Sequence, residues 1–142
     1  MTEIKREISQ IFLDYDDKSY DDVLKSPISE SNLEKILMTG KKMKISINAV
    51  CIRRSSGGRL HVMISIDEPI SFIWSMIFRI RLEDCLGRVT SDFNRYLNSG
   101  GDITKINRLF NYKLVGGEER RAGEWITIYR NRQTEQQPII EA

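Results

Sequence analysis

The sequence predicts an α+β fold, a mainly antiparallel sheet with helices packed on one of its faces. Three observations predict it. Segments 9–16, 43–52 and 60–66 alternate apolar and polar residues at period two, the last two flank a Ser/Gly turn, and apolar residues crowd 31–40 and 70–86 with helix signals at the ends. The implied order is β-α-β-β-α-β. At 142 residues with 40% hydrophobic side chains, the chain suits one core, burying roughly two-thirds of its unfolded surface. The domain is assigned to residues 1–130 and a disordered polar tail to 131–142, where Gln136-Gln137-Pro138 outweighs the apolar Ile139-Ile140.

Each element has its own signal. In SQIFLDYD, Ile11, Leu13 and Tyr15 point one way and Phe12, Asp14 and Asp16 the other. Ser31 with Glu34 forms a capping box for a helix carrying Leu33, Ile36 and Leu37, which Gly40 should stop. Met43, Ile45, Ile47, Ala49 and Cys51 share one strand face before the turn Ser55-Ser56-Gly57-Gly58. Leu60, Val62, Ile64 and Ile66 then oppose His61, Met63 and Ser65, which completes an antiparallel hairpin. Pro69 opens a helix over 70–86 that is apolar nearly all round and should be buried, Trp74 included. Segment 88–96 reads as a strand in preference to a further helix, with Arg88, Thr90 and Asp92 on one face. After a loop at 98–101 and a helical turn within 103–110, segments 110–115 and 125–129 make a closing hairpin through Gly116-Gly117.

Charge is distributed unevenly. The net charge is +2, yet residues 1–38 hold nine acids against five bases, and residues 39–66 hold six bases and no acid. A basic stretch beside a focal acidic site suits a polyanion. The longest apolar run, 70–78, is about half the ~20 residues a bilayer crossing needs, and Arg79 and Arg81 end it. No secretory signal is evident at the N-terminus, so a cytoplasmic location without membrane contact is expected. Cys51 and Cys85 lack metal or redox spacing and read as reduced thiols.

Asp14 and Asp16 emerge on one strand face, within reach of a shared divalent cation. His61, the only histidine, follows the Gly-rich turn and points away from the core, and Asp92 supplies a third carboxylate if its segment is a strand. IFLDYD, SSGGRLH and VTSD, in that order over residues 9–94, resemble the archaeo-eukaryotic primase superfamily, whose palm (an RRM-like fold) carries an aspartate pair, a Ser/Gly turn leading to histidine, and a later aspartate. The resemblance implies metal (Mg or Mn) at Asp14, Asp16 and Asp92, with His61 on the phosphates of an incoming nucleotide. The family has serine two residues before the histidine, where this chain has Arg59, and its catalytic unit is longer. A slighter resemblance, through the basic strand, the SGG turn and the later Arg/Asp segment, is to small archaeal single-stranded-DNA-binding proteins of the ThermoDBP type.

Binding without catalysis needs cations for phosphates and aromatic faces for bases, and no cofactor. Lys42, Lys44, Arg53, Arg54, Arg59, Arg88 and Arg95 supply the first, and Trp125 and Tyr129, which share one face of the last strand at period two, supply the second. The expected function is binding of single-stranded DNA or RNA in replication, on a reduced primase-like palm. A metal-dependent nucleotidyltransferase is the alternative, and a viral or plasmid adaptor a third. Single-stranded nucleic acid is the expected partner, with a second copy of the chain and replication proteins as further candidates.

Overall fold

The computed structural model describes residues 6–109, 112–115 and 117–131. Along the chain run β1 (Arg6–Ser19), short helices α1 (Tyr20–Lys25) and α2 (Pro27–Glu30), then α3 (Leu33–Lys42). β2 (Ile47–Arg54) and β3 (Arg59–Ser71) follow, then α4 (Phe72–Arg81) and α5 (Leu86–Asn98). A single 3-10 turn at Ile103–Lys105 leads to β4 (Tyr112–Val115), β5 (Glu118–Arg121) and β6 (Ile126–Arg130). The main sheet is antiparallel in the order β1-β3-β2-β6, and β4 and β5 form a separate two-stranded ribbon. The predicted α+β class holds.

The core lies between one face of this sheet and the helices. Ile11, Leu13 and Tyr15 of β1, Val50 and Ile52 of β2, and Leu60, Val62, Ile64 and Ile66 of β3 meet Val23, Leu33, Ile36, Phe72, Met76, Phe78 and Val89 from the helices. Each fully buried aliphatic side chain contributes roughly 1.5–3 kcal/mol through burial. No described helix is long and apolar enough to cross a membrane.

Several local expectations are corrected. Ile47 pairs with Ile66 but Ala49 with Ser65 and Val50 with Ile64, a β-bulge that adds one residue to β2. Beyond the bulge the faces exchange: Val50 and Ile52 enter the core, and Ala49 and Cys51 turn to the opposite face. Segment 88–96 is helical, inside α5, because Val89, Phe93 and Tyr96 fall at helical spacing. Those rings close on Phe72, with Tyr96 stacked at 3.8 Å and Phe93 edge-on at 5.4 Å.

α4 begins three residues after Pro69, because β3 runs on to Ser71, whose hydroxyl caps the helix by accepting from Trp74 N at 3.2 Å. It is not apolar-buried all round: Ile73, Trp74 and Ile80 are exposed. Ser31 does not cap α3; its hydroxyl donates to the Pro27 carbonyl, and Asn32, at φ 64, is the cap residue. The closing hairpin is also different. Val115 pairs with Glu118 across a two-residue connection, so β4 takes β5 as partner, and β6 joins the main sheet beside β2. Phe110, Gly116 and the tail from 132 lie outside the described residues.

Gly40 does not stop α3, which continues to Lys42. Its role is a close approach: a Cβ there would lie 2.6 Å from Ile47 Cδ1 and 3.2 Å from the Ile45 carbonyl oxygen. Gly40→Ala, a change worth up to ~1 kcal/mol of favourable helix propensity, is therefore expected to lower the urea-unfolding free energy by about 1–3 kcal/mol from overpacking. Adding Ile47→Val should recover part of the loss. A stabilised single variant would show that the contact yields at no cost.

Candidate nucleic-acid interface

β1 is an edge strand, and side chains occupy its open edge. Asn107 Oδ1 accepts from Phe12 N at 2.9 Å, and the same amide donates to the Gln10 carbonyl. Asp84 Oδ1 accepts from Asp14 N at 2.9 Å, and Arg88 Nη1 donates to the Phe12 carbonyl at 3.1 Å. The unpaired ladder groups of an edge are thereby capped.

These capping groups belong to a buried charge network. Arg79, 1% exposed, donates from Nε to Asp84 Oδ2 and from Nη1 to Asp92 Oδ2, both at 2.7 Å. Arg88 reaches both Asp84 oxygens at 2.8 Å, and Asp92 also accepts from Asn107 N at 2.9 Å and from the half-exposed Arg95 at 3.4 Å. A cleft of about 670 Å³ opens beside this network, lined by Asp14, Cys85, Arg88, Ser91, Asp92, Arg95 and Arg108 among others. That volume is in the range of small-ligand sites.

On the sheet face opposite the core, Asp14, His61 and Arg53 align in one cross-strand row over β1, β3 and β2. Arg53 Nε donates to His61 Nδ1 at 3.0 Å, which leaves the proton of the neutral imidazole on Nε2, 3.7 Å from Asp14 Oδ1. Burial, then the cations of Arg53 and Arg88, push His61 down to about 4. Burial, then the Asp16 carboxylate, raises Asp14 to about 6 against the opposing pull of Arg88. No pH gives both groups charge in quantity: the imidazole protonates below about 4 and the carboxyl ionises above about 6. The contact is therefore a polar pair and not an ion pair. Arg53 also lies over Trp125, its guanidinium carbon 4.5 Å from the ring centroid, and Phe12 packs on Trp125 at 6.1 Å.

The structure brings together one part of the predicted site and disperses the rest. Asp14, Asp16, His61, Arg53, Arg54, Arg59 and Trp125 gather at one end of the sheet, with Arg88, Asp92 and Arg95 along the β1 edge. Lys42 lines a hollow with Asn32 and Lys35, Lys44 lines another beside Trp74, and neither reaches this end. Tyr129 pairs with Val50 and packs against the core, while Trp125 lies on the opposite face, so they do not share a stacking surface. A register shift in the β2–β6 pairing separates them. Tyr15 is buried and donates to the Leu82 carbonyl at 2.6 Å, so its ring is not open to a base. The sequence reading missed Asp84, Asn107 and the buried role of Arg79; an acid just past an apolar helix that contains an arginine was the available signal for the first.

Asp14 and Asp16 alone fit a cation that takes one or two carboxylates, with water and phosphate supplying its other ligands. Asp92 does not join them as a strand carboxylate, because it sits on α5 and holds Arg79, Arg95 and Asn107 N. No cluster of three or more metal-ligating side chains occurs among the described residues. No family model, curated protein or solved structure matches the chain.

Two outcomes follow from this geometry. Asp92→Ala strips Arg79 of a buried counter-ion and should cost about 3–5 kcal/mol in urea unfolding. Arg95→Ala, at the exposed end of the network, should cost under about 1 kcal/mol; equal losses would contradict the buried network.

The second outcome concerns pH. Asp14 titrates higher in the fold than its ordinary 3.8, so its contribution to stability is full below that value and lost as pH rises through about 6. His61 titrates lower than its ordinary 6.5, so its contribution is full above that value and lost as pH falls through about 4. The two slopes oppose each other over that window. Asp14→Asn should unmask stability that rises with pH between them, and His61→Gln stability that falls, both read as thermal midpoints across a pH series. Parallel curves for the two variants would refute the assignments.

Proposed function

We propose that this protein binds single-stranded nucleic acid at the cleft beside the β1 edge, the strand continuing over the adjoining end of the sheet. The observation that carries the reading is the convergence of Arg88, Arg95, Arg108 and Ser91 on one cleft. Guanidinium groups fork to phosphate oxygens and stack on bases. The neighbouring Phe12–Trp125 pair offers aromatic surface, and the exposed Arg54 and Arg59 extend the cationic path. Arg53 and Arg88 act as positioning groups, since each is already committed to an internal partner.

A second reading, metal-dependent nucleotidyl transfer, is favoured by one observation: Asp14 and Asp16 lie close enough for Asp16 to raise the Asp14 pKa. A cation bridging them would supply charge stabilisation for phosphoryl chemistry. Asp14, Asp16 and His61 would then be the catalytic set.

Fluorescence anisotropy with labelled single-stranded DNA and RNA and duplex controls, in EDTA or Mn²⁺ and at two salt concentrations, tests both. Binding in EDTA that weakens as salt rises is expected, and the Arg95→Ala/Arg108→Ala double variant should reduce the salt slope by about 1–2. Asp14→Asn should tighten binding at neutral pH by removing an anion from the cleft. Binding that appears only with Mn²⁺, lost in Asp14→Asn/Asp16→Asn, would shift the function to the second reading. Absence of salt-sensitive binding throughout would eliminate the first.

A further inference from the structure

α4 buries Phe72, Met76 and Arg79 and turns a second apolar face outward. Ile73 and Ile80 are each about half exposed, Trp74 is 39% exposed, and Ile77, partly buried, completes one stripe at helical spacing. α3 runs antiparallel beside it: Lys35 pairs with Glu83 at one end, and Trp74 Nε1 donates to the Met43 carbonyl at the other. Contiguous apolar patches of this kind on a folded protein mark interaction surfaces.

A hollow of about 430 Å³ opens at the N-terminal end of the stripe, walled by Met43, Ile45, Pro69, Ile70 and Trp74, with Lys44 and Glu68 at its polar rim. The surface thus carries the protruding Ile80 at one end of the helix and a hollow at the other. The charges are also split between the ends. Asp67 and Glu68 precede α4 with Lys44 nearby, while Arg81 ends it beside the mutually paired Lys35 and Glu83.

We propose that α4 is the interface of a two-fold homodimer. Antiparallel apposition of two α4 helices sets Ile73 of one protomer against Ile80 of its partner. Ile80 then enters the hollow beside Trp74, and Arg81 meets the Asp67–Glu68 end, twice over by symmetry. A self-complementary patch is what a two-fold interface requires. A parallel arrangement would set Ile80 against Ile80 and Arg81 against Arg81.

Sedimentation equilibrium of the full chain over a concentration series tests this. A monomer–dimer equilibrium is expected, with Ile73→Glu and Ile80→Glu each weakening association about tenfold or more while circular dichroism stays unchanged. Arg81→Glu should weaken it, and adding Glu68→Arg in the same chain should restore it, a recovery that a merely structural role would not produce. A chain that remains monomeric throughout overturns the proposal, as does a dimer indifferent to Ile73→Glu and Ile80→Glu. Neither outcome bears on the nucleic-acid reading, which is measured at a different surface.

Discussion

The arrangement of helices around the β1 edge depends on one buried cation. Arg79 is withdrawn from water on the inner face of α4, and transferring such a charge costs several kcal/mol unless it is matched. Asp84, in the α4–α5 connection, and Asp92, one helix further on, match it from two directions. Arg79 Nη2 has no hydrogen-bond partner among the described residues. The compensation is positional. Asp84 also accepts from the β1 backbone at Asp14, and Asp92 from Asn107 N, so one guanidinium ties α4, α5, the following loop and the sheet edge into a fixed relation.

Asp14 inherits its properties from this arrangement. Its backbone amide is held by Asp84, its carboxyl lies in the shade of Arg88 and α5, and its neighbour across the strands is an imidazole whose own acceptor nitrogen is occupied by Arg53. A carboxylate so placed is partly desolvated and repelled by Asp16, its cross-strand neighbour is a neutral donor, and the pull of Arg88 offsets only part of this. That combination raises its pKa without creating an ion pair, and it makes the charge of the cleft sensitive to mildly acidic pH.

Much of this was legible in the residues and some was not. The strand alternation in IFLDYD and RLHVMISI fixed which residues face the core, and with it the shared face of Asp14 and His61, because period two survives along both strands. β2 was misread beyond Ile47, since the bulge near Asn48 leaves no signal of its own in an apolar run. Yet that one extra residue is what turns Arg53 toward His61 instead of into the core. Segment 88–96 satisfied period two at three polar positions by coincidence, and its apolar positions at 89, 93 and 96 carried the correct period. The same error misplaced Asp92, a carboxylate that serves Arg79 and not a strand-face metal. Long-range partners such as Asp84 with Asp14 or Asn107 with Phe12 depend on tertiary closure, which local periodicity does not encode.

Charge bookkeeping around the cleft connects the network to the proposed partner. Arg79, Arg88, Arg95 and Arg108 face Asp84, Asp92 and Asp14, but the groups are not equivalent. Arg79 is committed to Asp84 and Asp92, and Arg88 to Asp84, so they fix geometry and contribute little outward field. Arg95 shares only the far oxygen of Asp92 at 3.4 Å and is otherwise exposed, as is Arg108. The outward balance therefore rests on two exposed guanidiniums against the carboxylate of Asp14, with that of Asp16 close by. When the Asp14 carboxyl takes a proton near pH 6, the opposing charge falls while both cations remain, since arginine stays protonated at any relevant pH. A polyanion in the cleft stabilises the protonated form in turn, so phosphate binding and proton uptake at Asp14 are linked, and each favours the other.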